Sequence, residues 1–166
     1  MLGLIYLLGA AALVGIDYWI KQWATLSLQP VTSIDIIPDV LSLYYHQNYG
    51  AAFGILQQQR VLLVTVTGIV LAGLVVAILL RKVKGHLLLS SLTLIIAGGV
   101  GNLIDRVMLG YVVDYIYFEP INFPIFNFAD CCVVVGTGLL AIYLLFIEGR
   151  EHKERKPAAP PTEEKP

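Results

Sequence analysis

The chain has 166 residues, 57% of them hydrophobic and 14% charged, with a net charge of -1 and a mean hydropathy of +0.76. A soluble domain of this size is about a quarter charged, so the composition excludes a surface that faces only water. No basic stripe is present to meet phosphates, which argues against nucleic acid as a partner.

Four apolar runs follow in chain order, near residues 2–20, 61–80, 87–104 and 128–147. Each is about the length needed to cross a hydrocarbon core of ~30 Å at ~1.5 Å per residue. The first run has small residues at Ala10-Ala11-Ala12 but no Lys or Arg before it, so it reads as a retained span and not as a cleaved leader. The segment 22–60 reads as extracytoplasmic. Ser33 to Tyr45, rich in Ile, Val, Leu and Tyr around Pro38, suits short strands lying on the membrane. Gly50 and Gly54 around Ala51-Ala52-Phe53 suggest a turn into a short interfacial helix. From residue 149 the chain is charged and then proline-rich, which predicts a disordered cytoplasmic tail over 149–166 and a membrane domain over 1–148. Orientation follows from Lys and Arg. With both termini cytoplasmic, eight lie inside (Arg81, Lys82, Lys84, Arg150, Lys153, Arg155, Lys156, Lys165) and three outside (Lys21, Arg60, Arg106). The fold class expected is mainly α and integral to the membrane, with four transmembrane helices, a small outer sheet and a short interfacial helix.

Ionisable groups in or beside a span are costly, and here they gather at one face. Asp17, Lys21, Asn48, Asn102, Asp105, Arg106, Asp114, Asn127 and Asp130 all fall near the outer ends of the spans or in the outer segments. Asp17 and Lys21 stand i, i+4 and can pair, either as an interfacial ion pair with Lys21 snorkelling outward or as a brace for the site. Asn102 and Arg106 share the same spacing. Gly98-Gly99-Val100-Gly101 before them allows close helix approach. Pro120 and Pro124 keep helix out of the stretch before Asn127, a natural N-cap that puts Asp130 at the third helical position.

Two carboxylates that share a proton can hydrolyse an amide, one accepting a proton from water while the other polarises the carbonyl. The parts of other peptidase chemistries are missing: there is no His-Glu-x-x-His and no Gly-x-Ser-x-Gly turn. Cys131 and Cys132, adjacent and without a neighbouring His, make no zinc site. No metal or cofactor is called for. A proton or ion transporter would also use intramembrane carboxylates, but these form no relay across the bilayer.

At these residues the chain resembles the lipoprotein signal peptidases (signal peptidase II). The resemblance rests on Asp17 with Lys21, Asn48-Tyr49-Gly50-Ala51-Ala52-Phe53-Gly54, and Gly98-Gly99-Val100-Gly101-Asn102-Leu103-Ile104-Asp105-Arg106. It continues through Val113-Asp114 and closes on Phe126-Asn127-Phe128-Ala129-Asp130. It implies an aspartyl peptidase of the bacterial cytoplasmic membrane that cuts diacylglyceryl-modified prolipoproteins just before the lipidated cysteine. Asp114 and Asp130 would be the catalytic pair. Asp17, Lys21, Asn48, Gly50, Gly98, Asn102, Arg106, Asn127 and Ala129 would bind substrate or support the pair. The resemblance also implies the cyclic peptide inhibitor globomycin as a ligand. Membrane lipids would surround the chain, which is expected to be a monomer.

Overall fold

The computed structural model describes residues 1–51 and 55–147. The expected disordered tail over 149–166 lies outside these residues, and the expected short interfacial helix falls largely on 52–54, outside them too.

Four helices among the described residues are long and apolar enough to cross a membrane. They are α1 (Leu2–Leu28), α2 (Arg60–Leu79), α3 (His86–Met108) and α4 (Phe128–Ile142, continued by a π turn over Tyr143–Ile147). The protein is thus a multi-pass membrane protein. α2 is exposed along most of its length, as a span bathed in lipid should be. α3 is the central helix and touches the other three.

α1 runs eight residues past the expected end at residue 20. No Gly or Pro falls between Ile20 and Pro30, and Ala24 and Leu28 extend the buried stripe of Asp17 and Lys21 at helical spacing. Lys21 therefore belongs to the span and not to an outer connection.

Three glycines let the spans meet. A Cβ at Gly98 would collide with the carbonyl oxygen of Ala129, and one at Gly101 with Asp17 Oδ2. At Gly136 it would stand 2.8 Å from the Ser91 carbonyl oxygen. The backbones of α3 and α4 approach at Gly98 and Gly136 more closely than any side chain allows.

The outer segments form an antiparallel sheet in the order β1 (Ser33–Ile37), β2 (Leu41–Asn48), β3 (Val112–Phe118). The first two strands match the expected ones and turn over Pro38-Asp39-Val40, with Asp39 left-handed at φ 59°. β3 is an addition to the sequence reading, which treated this stretch as an outer loop. It pairs with β2 from Leu41↔Phe118 to Asn48↔Val112, with a bulge between Leu43 and His46. After Pro124 the chain returns to β3, where Phe126 and Ile116 exchange backbone hydrogen bonds. That return fixes the entry into α4.

Candidate active site

The site lies where the sheet meets the ends of α1, α3 and α4. α4 begins with a capping box: Asn127 Oδ1 accepts from the Asp130 N–H at 2.9 Å, and Asp130 Oδ2 accepts from the Asn127 N–H at 3.1 Å. The next two orphan donors of this helix are met from other elements. Tyr115 Oη accepts from the Phe128 N–H at 3.2 Å, and Asp17 Oδ1 on α1 accepts from the Ala129 N–H at 3.0 Å. The start of α4 is thereby tied to β3 and to α1. Burial pushes the Tyr115 phenol up, and the bond from the Phe128 N–H pulls the other way and is outweighed.

Asp114 stands on β3, 1% exposed, and is cradled by two amides. Asn127 Nδ2 donates to its Oδ1 at 2.6 Å and Asn48 Nδ2 to its Oδ2 at 2.9 Å. Asp130 uses Oδ1 to accept from Asn102 Nδ2 at 2.8 Å. Asn127 thus touches both carboxylates, one through its side chain and the other through its backbone. Its Nδ2 also reaches Asn102 Oδ1 at 3.1 Å, so the two amides lock together between the two acids. Burial, and after it the charge of Asp130, pushes the Asp114 carboxyl up to about 7. The amides of Asn48 and Asn127 pull the other way and are outweighed.

Behind this pair sits a buried charge cluster. Lys21 Nζ lies 2.9 Å from Asp17 Oδ2 and 3.1 Å from Asp105 Oδ2, and donates to Asn102 Oδ1 at 2.9 Å. The Asp17 Oδ2 contact is an ion pair lying off the line of a hydrogen bond. Lys21 does not snorkel; the brace is what the geometry holds. Asp105 Oδ2 also accepts from the Val113 N–H at 3.1 Å, which pins β3 beside Asp114.

Arg106 Nη2 donates to the Gly50 carbonyl oxygen at 2.6 Å, and the Gly50 N–H donates to Asn48 Oδ1 at 2.9 Å. Gly50 is buried against the returning chain, where a Cβ would meet the Ile55 carbonyl oxygen at 2.8 Å. The residues singled out from the sequence therefore meet in one place, Gly98 and Ala129 by backbone packing and the rest by polar contact. Two participants were not singled out as site residues. Asp105 shares a helical face with Gly98 and Gly101, and this spacing was the available signal. Tyr115 had none, because its role is set by the return strand after Pro124.

Four spans that gather a carboxylate-bearing polar site at one end define a multi-pass membrane protein with the makings of an acid–base centre. Comparison with known proteins sharpens this. The family described as Signal peptidase (SPase) II matches residues 9–146. The chain is 44% identical over 141 residues to the lipoprotein signal peptidase of Streptococcus thermophilus strain CNRZ 1066, covering 85% of this chain and 92% of that one. It is 43% identical over 148 residues to that of Clostridioides difficile strain 630, covering 89% and 99%. Against that of Brevibacillus brevis the identity is 37% over 148 residues, with the same coverage. A solved bacterial membrane enzyme superposes with a TM-score of 0.78 at 31% identity, covering 93% of both chains. A second gives 0.76 at 33%, covering 86% of this chain and 94% of its own. The chain belongs to the signal peptidase II family and is a peptidase.

Proposed function

We propose that this peptidase removes signal peptides from diacylglyceryl-modified prolipoproteins, cutting just before the lipidated cysteine, and that Asp114 and Asp130 carry out the reaction. The observation that carries this reading is Asn127, which joins the two carboxylates through one residue at the end of the bundle where the sheet sits. A substrate held in the bilayer by two acyl chains presents its scissile bond at that depth. The substrate class comes from the relatives' name; the chemistry comes from the site.

Asp114, pushed up to about 7, is the member suited to hold the shared proton. Asp130 then acts as base. Water gives a proton to Asp130 as its oxygen bonds to the scissile carbonyl carbon, and Asp114 passes its proton to the carbonyl oxygen. The tetrahedral intermediate collapses as Asp130 gives its proton to the departing amine and Asp114 recovers one from the hydroxyl. The C–N bond breaks, and the products are a carboxyl-ended signal peptide and a lipidated cysteine with a free amine. Asn48, Asn102 and Asn127 orient the two acids, Arg106 holds substrate backbone beside Gly50, and Asp17 and Lys21 brace the whole. With Lys21 inside α1, the division of Lys and Arg is eight to two, and it supports cytoplasmic termini and a site at the outer face of the cytoplasmic membrane. Globomycin, a monomeric state and lipid contacts along α2 complete the proposal.

Asp114→Asn and Asp130→Asn test it. Each keeps shape and removes an acid–base group worth ~10²–10⁴-fold in rate, so each should lose nearly all cleavage of a diacylglyceryl-modified lipobox substrate. Because the acids act as a unit, the double variant should be scarcely slower than either single one. Substantial cleavage by either well-folded single variant sinks the assignment.

A further inference from the structure

Lys21 has three protons on Nζ and no acceptor. Its Nζ pairs as an ion with Asp17 Oδ2 and Asp105 Oδ2 and donates a hydrogen bond to Asn102 Oδ1. Two of these contacts account for a buried ammonium, since two aspartates more than balance one lysine. The third adds no charge compensation. It falls on Asn102, whose other end touches Asp130 at 2.8 Å.

A side-chain amide is nearly symmetric in shape, so packing hardly distinguishes its oxygen from its nitrogen and hydrogen bonds set which way it points. A donor-only ammonium accepts the oxygen end alone. Asn127 Nδ2, which reaches the same Oδ1 at 3.1 Å, makes the same demand. The nitrogen of Asn102 is thereby turned to Asp130. Reversed, the amide would set an oxygen against a carboxylate oxygen, two acceptors in contact.

We infer that Lys21 is a positioning residue of the peptidase site: anchored by Asp17 and Asp105, it fixes the direction of the Asn102 amide and so presents Asp130 with a donor. This rests on reading Asp130 as catalytic. It differs from a purely structural brace in one respect: a neutral donor at residue 21 does the positioning, whereas the brace needs the charge.

Two double variants separate these roles. Lys21→Gln with Asp105→Asn and Lys21→Met with Asp105→Asn both leave the cluster with one carboxylate and no cation, the same net charge as the original two carboxylates and one ammonium. Asn at 105 keeps an oxygen for the Val113 N–H. Asn127 Nδ2 still donates to Asn102 in both, but only the Gln pair keeps a donor from residue 21. Measured on a diacylglyceryl-modified lipobox peptide, kcat of the Gln pair should exceed that of the Met pair by about 10- to 100-fold, the range for misplacing a reacting group. KM and the Tm in detergent should be alike for the two, because the difference acts on the chemical step. Equal kcat in two folded proteins overturns the inference and makes Lys21 a charge brace only. Should the doubles fail to fold, Asn102→Asp decides. It keeps an acceptor toward Lys21 and replaces the donor toward Asp130 by an acceptor, so kcat should drop by a similar factor. Unchanged kcat there removes any role for the amide's direction. The Asp130→Asn control keeps the two readings apart: if that variant still cleaves, the catalytic pair is wrong; if it is dead and the two doubles match, only the inference about Lys21 fails.

Discussion

Away from the sheet, the bundle is held by apolar packing: Leu71, Ile78, Leu89, Leu92 and Ile96 form its centre. The polar side chains there bond mostly within their own helix, Ser91 and Thr93 turning back to the carbonyls of Leu88 and Leu89, with a long second contact from Thr93 to the Tyr6 carbonyl and a Tyr6–His86 bond as links between α1 and α3. Beneath the sheet the rule reverses. Asp17, Asn48, Asn102, Asp105 and Asp114 each hydrogen-bond to a different element, and Asn127 reaches two of them. A donor that bonds within its own helix tolerates a shift of its neighbours. One that bonds across elements fixes them, and that is what holding two carboxylates in register requires.

The largest way to break this contrast, after the loss of either proposed catalytic acid, is at Asp17. Asp17→Ala removes one partner of a buried ion pair and leaves the Ala129 N–H unmet, so thermal or denaturant unfolding in detergent should show a loss of about 3–5 kcal/mol. A loss below 1 kcal/mol would mean that the cluster is not the clamp described. Gly98→Val comes next. The added side chain must push α4 away at Ala129, costing roughly 1–3 kcal/mol, and should depress cleavage because Asp130 follows Ala129 directly. Normal activity with normal Tm would contradict the close approach of α3 and α4.

A smaller effect is the pH dependence of stability. Asp114, pushed up to about 7, keeps its proton in the folded chain after an unfolded aspartate has lost it near 3.8. Its contribution is present in full below about 4 and is lost as pH rises through about 7. Between those values the wild type should lose stability with rising pH relative to Asp114→Asn, and parallel curves for the two proteins would refute the raised value. The smallest effect is expected on the lipid-facing helix. Nothing lies within 4 Å of a Cβ at Gly73, so Gly73→Ala should leave cleavage intact and change stability by no more than about 1 kcal/mol in the favourable direction. A strong defect there would reveal a contact face on α2.

Much of this was legible in the amino-acid sequence because it is local. The apolar runs mark the spans, and Asn127-Phe128-Ala129-Asp130 spells out a capping box at fixed spacing. The end of α1 was legible only in part, since Ala24 and Leu28 continue its stripe without a stop signal until Pro30. β3 was missed because Asp114 interrupts an otherwise apolar strand and the pairing depends on β2, more than sixty residues earlier. Tyr115, and the role of Asp105 within the polar cluster, were missed for the same reason: what they do is defined by backbone N–H groups brought to them by other elements. Sequence spacing locates the carboxylates, and only the assembled fold shows that each N–H of the first turn of α4 has a partner.

The deep placement of Asp17 and Lys21 within α1 bears on how the protein is made. During synthesis α1 is made before α3 and α4, carrying an acid and a base that would each resist insertion by about 2.5–3.5 kcal/mol near the centre of a span. One turn apart, they neutralise each other until help arrives. α3 then delivers Asp105 and Asn102 to Lys21, and α4 comes last, bringing the Ala129 N–H to Asp17 Oδ1. A ribosome-bound chain stopped before residue 128 would hold the lysine already neutralised but leave that aspartate oxygen waiting. In chain order α4 supplies the last of these contacts, and the polar cluster is complete only with that helix in place.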